Sequence, residues 1–111
     1  MEKAYTMHID DGHAWAEVPY RDILAVGLRD ANFSKFSYAH INKLYQAVMF
    51  LEEDIDVRIF LNAAHEHGIT VIFKEKFHKG NAPVRSYGRN SSGGGPAYKN
   101  QMEKLWLSAH G

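Results

Sequence analysis

Two short β-prone stretches, residues 4–9 and 14–18, meet at Asp10-Asp11-Gly12, and this junction constrains the fold more than any other feature of the chain. Aspartate and glycine tolerate the positive backbone dihedrals of tight turns, so Asp-Gly between apolar runs predicts a β-hairpin. Pro19 follows at once. A proline at the first helical position loses no hydrogen bond, and Ile23, Leu24 and Leu28 recur at helical spacing, so a short helix is expected over about residues 20–28.

The middle of the chain reads two ways. Ile41, Leu44, Tyr45, Val48 and Met49 fall on one helical face, whereas residues 33–38 are aromatic-rich and Ala47 to Leu51 is a short apolar run closed by acids. The expectation is two strands joined by a long connection, with a helix over 39–47 as the competing assignment. A helix from Asp54 or Asp56 is clearer. Acids stand at its start, Val57, Phe60, Leu61 and Ala64 share a face, and Gly68 ends it. Residues 69–77 then alternate as a half-buried strand should. The expected architecture is a small single α+β domain: an antiparallel sheet of four or five strands, two or three helices and a basic C-terminal extension. Residues 1–80 form the core in this reading, and 81–111 the glycine-containing extension, with a linker over 91–96 and a short amphipathic helix over 98–109.

A chain of 111 residues is enough for one such domain. No apolar run reaches the roughly 18 residues that span a bilayer, and the charged N-terminus lacks the apolar stretch of a signal peptide, so a cytoplasmic protein without a membrane partner is expected. The absence of cysteine excludes disulfides, thiolate metal sites and cysteine nucleophiles. The formal charge of zero conceals an asymmetry: residues 1–73 hold six Lys/Arg against eleven Asp/Glu, and residues 74–111 hold seven against two. Such a chain suits an anionic partner, a second copy of itself, or a tail folded back on an acidic body.

Seven histidines invite a metal reading. His65 and His67 stand about 200° apart on a helix and cannot share an ion. His8 and His13 can meet across the first hairpin beside Asp10 or Asp11, although turn aspartates and surface histidines are the ordinary reading of these residues. His13 also has the chemistry of a hydrolase base polarised by Asp11, with no nucleophile motif beside it. Glu52, Glu53, Asp54 and Asp56 form the densest acidic group. Oxygen clusters suit hard cations, but carboxylates at a helix start equally complement its dipole, and that structural role is the expectation. Gly93-Gly94-Gly95 lacks the lysine of a phosphate loop and reads as linker. No cofactor and no metal are expected.

The basic tail mixes Lys74, Lys76, Lys79, Arg85 and Arg89 with Phe77, Tyr87 and Tyr98, the pairing of charge and stacking surface that single-strand nucleic-acid binders use. Arg85-Ser86-Tyr87 is its centre. The acidic body opposes a phosphate backbone, so a protein partner fits both halves better.

The run Gly12-His13-Ala14-Trp15-Ala16-Glu17-Val18-Pro19 resembles the Gly-His-Gly-Trp-Leu-Glu-Val-Pro box that opens a group of small proteins of bacterial plasmids, integrated elements and phages. Phe36-Ser37-Tyr38 is similar to that group's tyrosine-rich strand. Phe50-Leu51-Glu52-Glu53-Asp54-Ile55-Asp56 is similar to its Tyr-Leu-Glu-Glu-Asp-Cys-Asp run, and Arg85-Ser86-Tyr87 to a later Arg-Ser-Tyr. The departures are Ala14 for glycine, Ala16 for leucine, Ile55 for cysteine, a longer connection between Tyr38 and Phe50, and the extension after Gly88. The resemblance transfers no catalytic residue. It implies a setting, an accessory protein of a mobile element, and through that setting a non-enzymatic protein that inhibits host defence, as anti-CRISPR proteins do, by occupying a surface of a host protein or complex. An interface of standard size buries about 800 Å² per partner around aromatic or arginine anchors. The candidates are Trp15, Tyr20, Arg85, Tyr87, Arg89 and Trp106, with core packing the equal alternative for Trp15. A nucleic-acid-binding accessory protein and a small metal-dependent enzyme are the alternatives from other classes.

Overall fold

The computed structural model describes residues 1–89. Strands β1 (Glu2–Ile9) and β2 (Ala14–Pro19) form the expected hairpin, with Thr6 opposite Glu17 and His8 opposite Trp15. Helix α1 (Tyr20–Ala25) is shorter than its apolar spacing predicts. Gly27 takes a left-handed φ of 80°, and the N–H of Leu28 turns back to the carbonyl of Ile23, closing the helix one turn early.

The ambiguous middle forms a second hairpin, β3 (Tyr38–Ile41) and β4 (Ala47–Glu52), joined by a five-residue turn rather than a long connection. Asn42 decides against the competing helix. Its Oδ1 accepts the N–H groups of Leu44 and Gln46, both at 2.9 Å, and Tyr45 adopts a left-handed φ of 59° that no helix allows. Helix α2 (Asp56–Glu66) and strand β5 (Thr70–Phe77) follow as expected, separated by Gly68 at φ 72°.

The sheet runs β5-β1-β2-β4-β3, with a two-residue strand β6 (Gly88–Arg89) added beside β3. It is mixed, not purely antiparallel, because β5 lies parallel to β1 from Glu2↔Thr70 to Ile9↔Phe77. Helix α2 supplies the reason: a crossover from β4 returns the chain in the same direction as β1, at an edge no tight turn can reach.

Alternation along the strands gives the sheet two faces. Tyr5, Ala16, Val18, Met49 and Leu51 point to α1 and α2, where they pack with Tyr20, Ile23, Val57, Phe60 and Ala64; Tyr5 meets the edge of Phe60 at 5.6 Å. Trp15, Tyr38, Val48 and Phe50 point the other way. They are covered by Ala82 and Val84 of a strap, residues 79–87, whose middle is a single 3-10 turn (Pro83–Ser86). Ala82 and Val84, 2% and 1% exposed, are packed into this face of the body. The linker and amphipathic helix expected over 91–109 lie outside the described residues.

Candidate functional site

The first hairpin turn is organised by one carboxylate. Asp10 Oδ1 accepts the N–H groups of Gly12 and His13, each at 3.0 Å, as an aspartate at a turn start does. Its remaining capacity goes to the strap. Oδ2 accepts the N–H of Ala82 at 2.9 Å, and the Arg85 guanidinium forks onto both oxygens, Nε at 2.6 Å and Nη2 at 3.0 Å. The Arg85 hydrogen bonds hold the Asp10 carboxyl far below the usual carboxylate range; burial opposes them, and the three backbone N–H groups assist. Arg85 also lies over the Trp15 ring at 5.1 Å. Gly12 keeps the approach open, since a Cβ there would stand 3.2 Å from Nη2.

With five donors on Asp10, the mixed His/Asp metal site considered from the sequence is not assembled. His13 packs beside Trp15 at 5.9 Å, whereas His8 turns to other partners, and among the described residues no three His, Asp or Glu side chains converge on a point a metal could fill. The acidic group after β4 is likewise divided. Asp56 is 1% exposed and accepts the N–H and Oγ of Ser34 and the Oγ of Ser37, the last at 2.5 Å, fixing the loop before β3 to the first turn of α2. Glu52 accepts the N–H groups of Asp54 and Ile55.

Between these two anchors lies a cleft of about 360 Å³. Trp15 and Tyr38, edge to face at 6.0 Å and both buried, form its floor with Arg85, and His13, Phe36, Glu52 and Asp54 complete the lining toward the rim. Phe36 is 54% exposed, and Ile55, next in sequence to the rim residue Asp54, is 63% exposed.

A second constellation occupies the same face nearer β5. His8 Nε2 lies 2.7 Å from Glu17 Oε1, and His8 Nδ1 lies 2.9 Å from His78 Nε2. Since a carboxylate only accepts, His8 carries its proton on Nε2. In the neutral pair His78 then donates from Nε2 to His8 Nδ1, leaving His78 Nδ1 as the free end of a carboxylate–imidazole–imidazole chain. The ring of Phe50 packs against His8 at 5.6 Å. The His8 hydrogen bond lowers the Glu17 carboxyl below its ordinary value, and burial lowers His78. Beyond Glu17, His40 stacks flat on Tyr87 at 3.8 Å and is also lowered by burial.

The six expected contact residues thus have different fates. Trp15 is 3% exposed and reaches a partner only through the cleft it floors, and Tyr20, 1% exposed, is a core residue that offers no surface. Arg85 is committed to Asp10 and Tyr87 to His40, so Arg85-Ser86-Tyr87 is a latch on the body rather than the free centre of a basic arm. Arg89 enters β6 through its backbone pairing with Tyr38. Trp106 lies outside the described residues. The sequence reading missed the Glu17–His8–His78 chain. Its His8–Glu17 half was accessible from the hairpin register, because residues opposite and two apart share a face. Comparison with protein-family models, with curated proteins and with solved structures finds no match.

Proposed function

We propose that this chain is a non-enzymatic protein-binding domain, an accessory protein of a phage or other mobile element that acts by occupying a surface of a host protein, as an inhibitor of host defence would. The observation that carries the reading is the cleft: an aromatic floor, carboxylates and the exposed Phe36 at the rim, and the exposed Ile55 next in sequence to Asp54. A partner side chain seated against Trp15 and Tyr38 would be ringed by apolar contacts that exclude water, which is how interface anchors gain most of their energy. Rigid flooring matters as much as shape. Trp15 is held by Arg85 on its face and Tyr38 at its edge, so little ordering entropy is lost when a partner arrives. The setting comes from the Gly12–Pro19 box and its companions.

The test is differential capture. The immobilised wild-type protein should retain a host protein in stoichiometric amount from a lysate of the bacterium that carries the element, and the double variant Phe36→Ser/Ile55→Ser should lose it while keeping its melting temperature. If both proteins retain the same set, or neither retains anything, the cleft is not the contact.

A further inference from the structure

The strap covers only part of its face of the sheet. Over β1 and β5 the surface is open, and the side chains there are set by the parallel register, which puts Thr6 beside Lys74 and His8 beside Lys76. Lys74 and Lys76 are exposed, and the backbone N–H of His78 extends the ladder one step, to the carbonyl of Ile9 at 2.8 Å. Positions 74, 76 and 78 therefore form a row on one face, repeating about every 6.6 Å. Of the acids on this face, Glu17 is engaged by His8 and Asp10 by Arg85, while Glu2 stands at the far end of β1, opposite Thr70 and away from the row. We infer that the row Lys74–Lys76–His78, backed by His8 and Glu17, binds the phosphodiester backbone of a single-stranded nucleic acid, and that His78 tightens this binding by taking up a proton.

The linear repeat favours a chain of phosphates over an isolated one, because successive cations along a strand can each neutralise successive groups of an extended backbone. The relay gives the row its second property. A proton arriving at His78 Nδ1 can stay on that ring, or the Nε2 proton can pass to His8 Nδ1, where Glu17 stabilises the resulting imidazolium. Either way the patch gains one positive charge at the end of the lysine row. The groups facing the relay are Glu17 from β2, with His40 of β3 behind it; Lys76 from β5; Asp10 from the end of β1; and the Phe50 ring from β4. Burial, then His8 and Lys76, lower the His78 pKa against the opposing pull of Asp10, so a bound phosphate must draw the proton on. This surface is separate from the cleft and its function does not depend on the protein-binding reading.

Fluorescence anisotropy with a labelled fifteen-nucleotide oligo-dT, in about 20 mM salt, tests the inference on the full chain. Binding should tighten several-fold from pH 7.5 to pH 5.5. Lys74→Ala/Lys76→Ala should weaken it at least tenfold and reduce the salt slope by about 1.4, the value for two lost contacts to a single strand. His78→Gln should abolish the pH dependence. Lys43→Ala/Arg58→Ala, exposed cations on other surfaces, should change little. No binding at either pH, equal losses in the two double variants, or a pH dependence that survives His78→Gln would each overturn the inference. Should His78→Gln not fold, nuclear magnetic resonance titration of His78 in the wild-type protein decides: its pKa must rise when oligo-dT is added, and an unmoved value refutes the proposal.

Discussion

The two faces of one sheet are closed by different physics. Toward α1 and α2 the closure is apolar: Ala16, Val18, Ile23, Met49, Leu51 and Phe60 are at most 1% exposed, and burial of their surface supplies the driving force. Toward the strap it is only half apolar. Ala82 and Val84 cover Trp15 and Phe50, but the strap is held in register by the Asp10–Arg85 fork and the His40–Tyr87 stack, with the His8–His78 contact just before it. A single turn of 3-10 helix buries too little surface to secure itself, so polar links must do so. Those links are directional and leave ionisable groups near the surface, which is why the Asp10–Arg85 clamp and the Glu17–His8–His78 chain both lie on this side.

If the division is real, truncation should cost most on the helix side. Phe60→Ala removes a fully buried ring that contacts Tyr5 and should destabilise the protein by about 3–5 kcal/mol, against about 1–2 kcal/mol for Val84→Ala under the strap. Urea denaturation of the two variants measures the difference. Equal losses would mean that the strap face is as much a core as the helix face.

Next in size is the clamp. Asp10→Ala strands the N–H groups of Gly12, His13 and Ala82 and leaves the guanidinium without its carboxylate, a loss of roughly 2–4 kcal/mol. The sharper expectation is spatial. Limited proteolysis should accelerate within residues 79–87, while amide exchange in α2 stays slow relative to the new global stability. Uniform acceleration would show that the strap and helix layers unfold as one unit.

What could be read from the sequence follows the same division. The helix face was legible because its signals are local: periodicity in α2, alternation in β5, Asp-Gly in the first turn. The strap face depends on contacts between residues about seventy positions apart, Asp10 with Arg85 and His8 with His78, and no periodicity announces those. The parallel placement of β5 on β1 creates both pairs, and expecting a purely antiparallel sheet concealed them. Arg85-Ser86-Tyr87 does not disclose its contacts to Asp10 and His40, because a basic residue beside an aromatic looks alike whether it binds phosphate or its own body's aspartate. The hairpin at residues 38–52 was obscured for a smaller reason: Asn42, which takes the N–H groups a helix would have used, sits among residues whose apolar spacing is helical.

The smallest expected effect separates the two polar links by pH. In the folded protein His78 and His40 titrate below the ordinary histidine value of 6.5, chiefly through partial burial, so the unfolded chain takes up protons first as pH falls. Between about 6.5 and the lowered folded values the unfolded state therefore binds more protons, and stability declines with falling pH. The carboxylates act later. Glu17, lowered by His8, contributes stability that is complete above its ordinary 4.5 and lost below it, and Asp10, lowered by Arg85, is lost only below 3.8. The urea midpoint should thus be level above the ordinary histidine value of 6.5, sag slightly below it, and fall steeply below about 4.5. His40→Gln/His78→Gln should flatten the middle portion and leave the acid limb in place. Both side chains are partly exposed, so solvent screening keeps the middle sag small beside the loss on removing Asp10. A double variant that keeps the full sag would remove the distinction between a clamp of permanent charge and a link that mild acid can loosen.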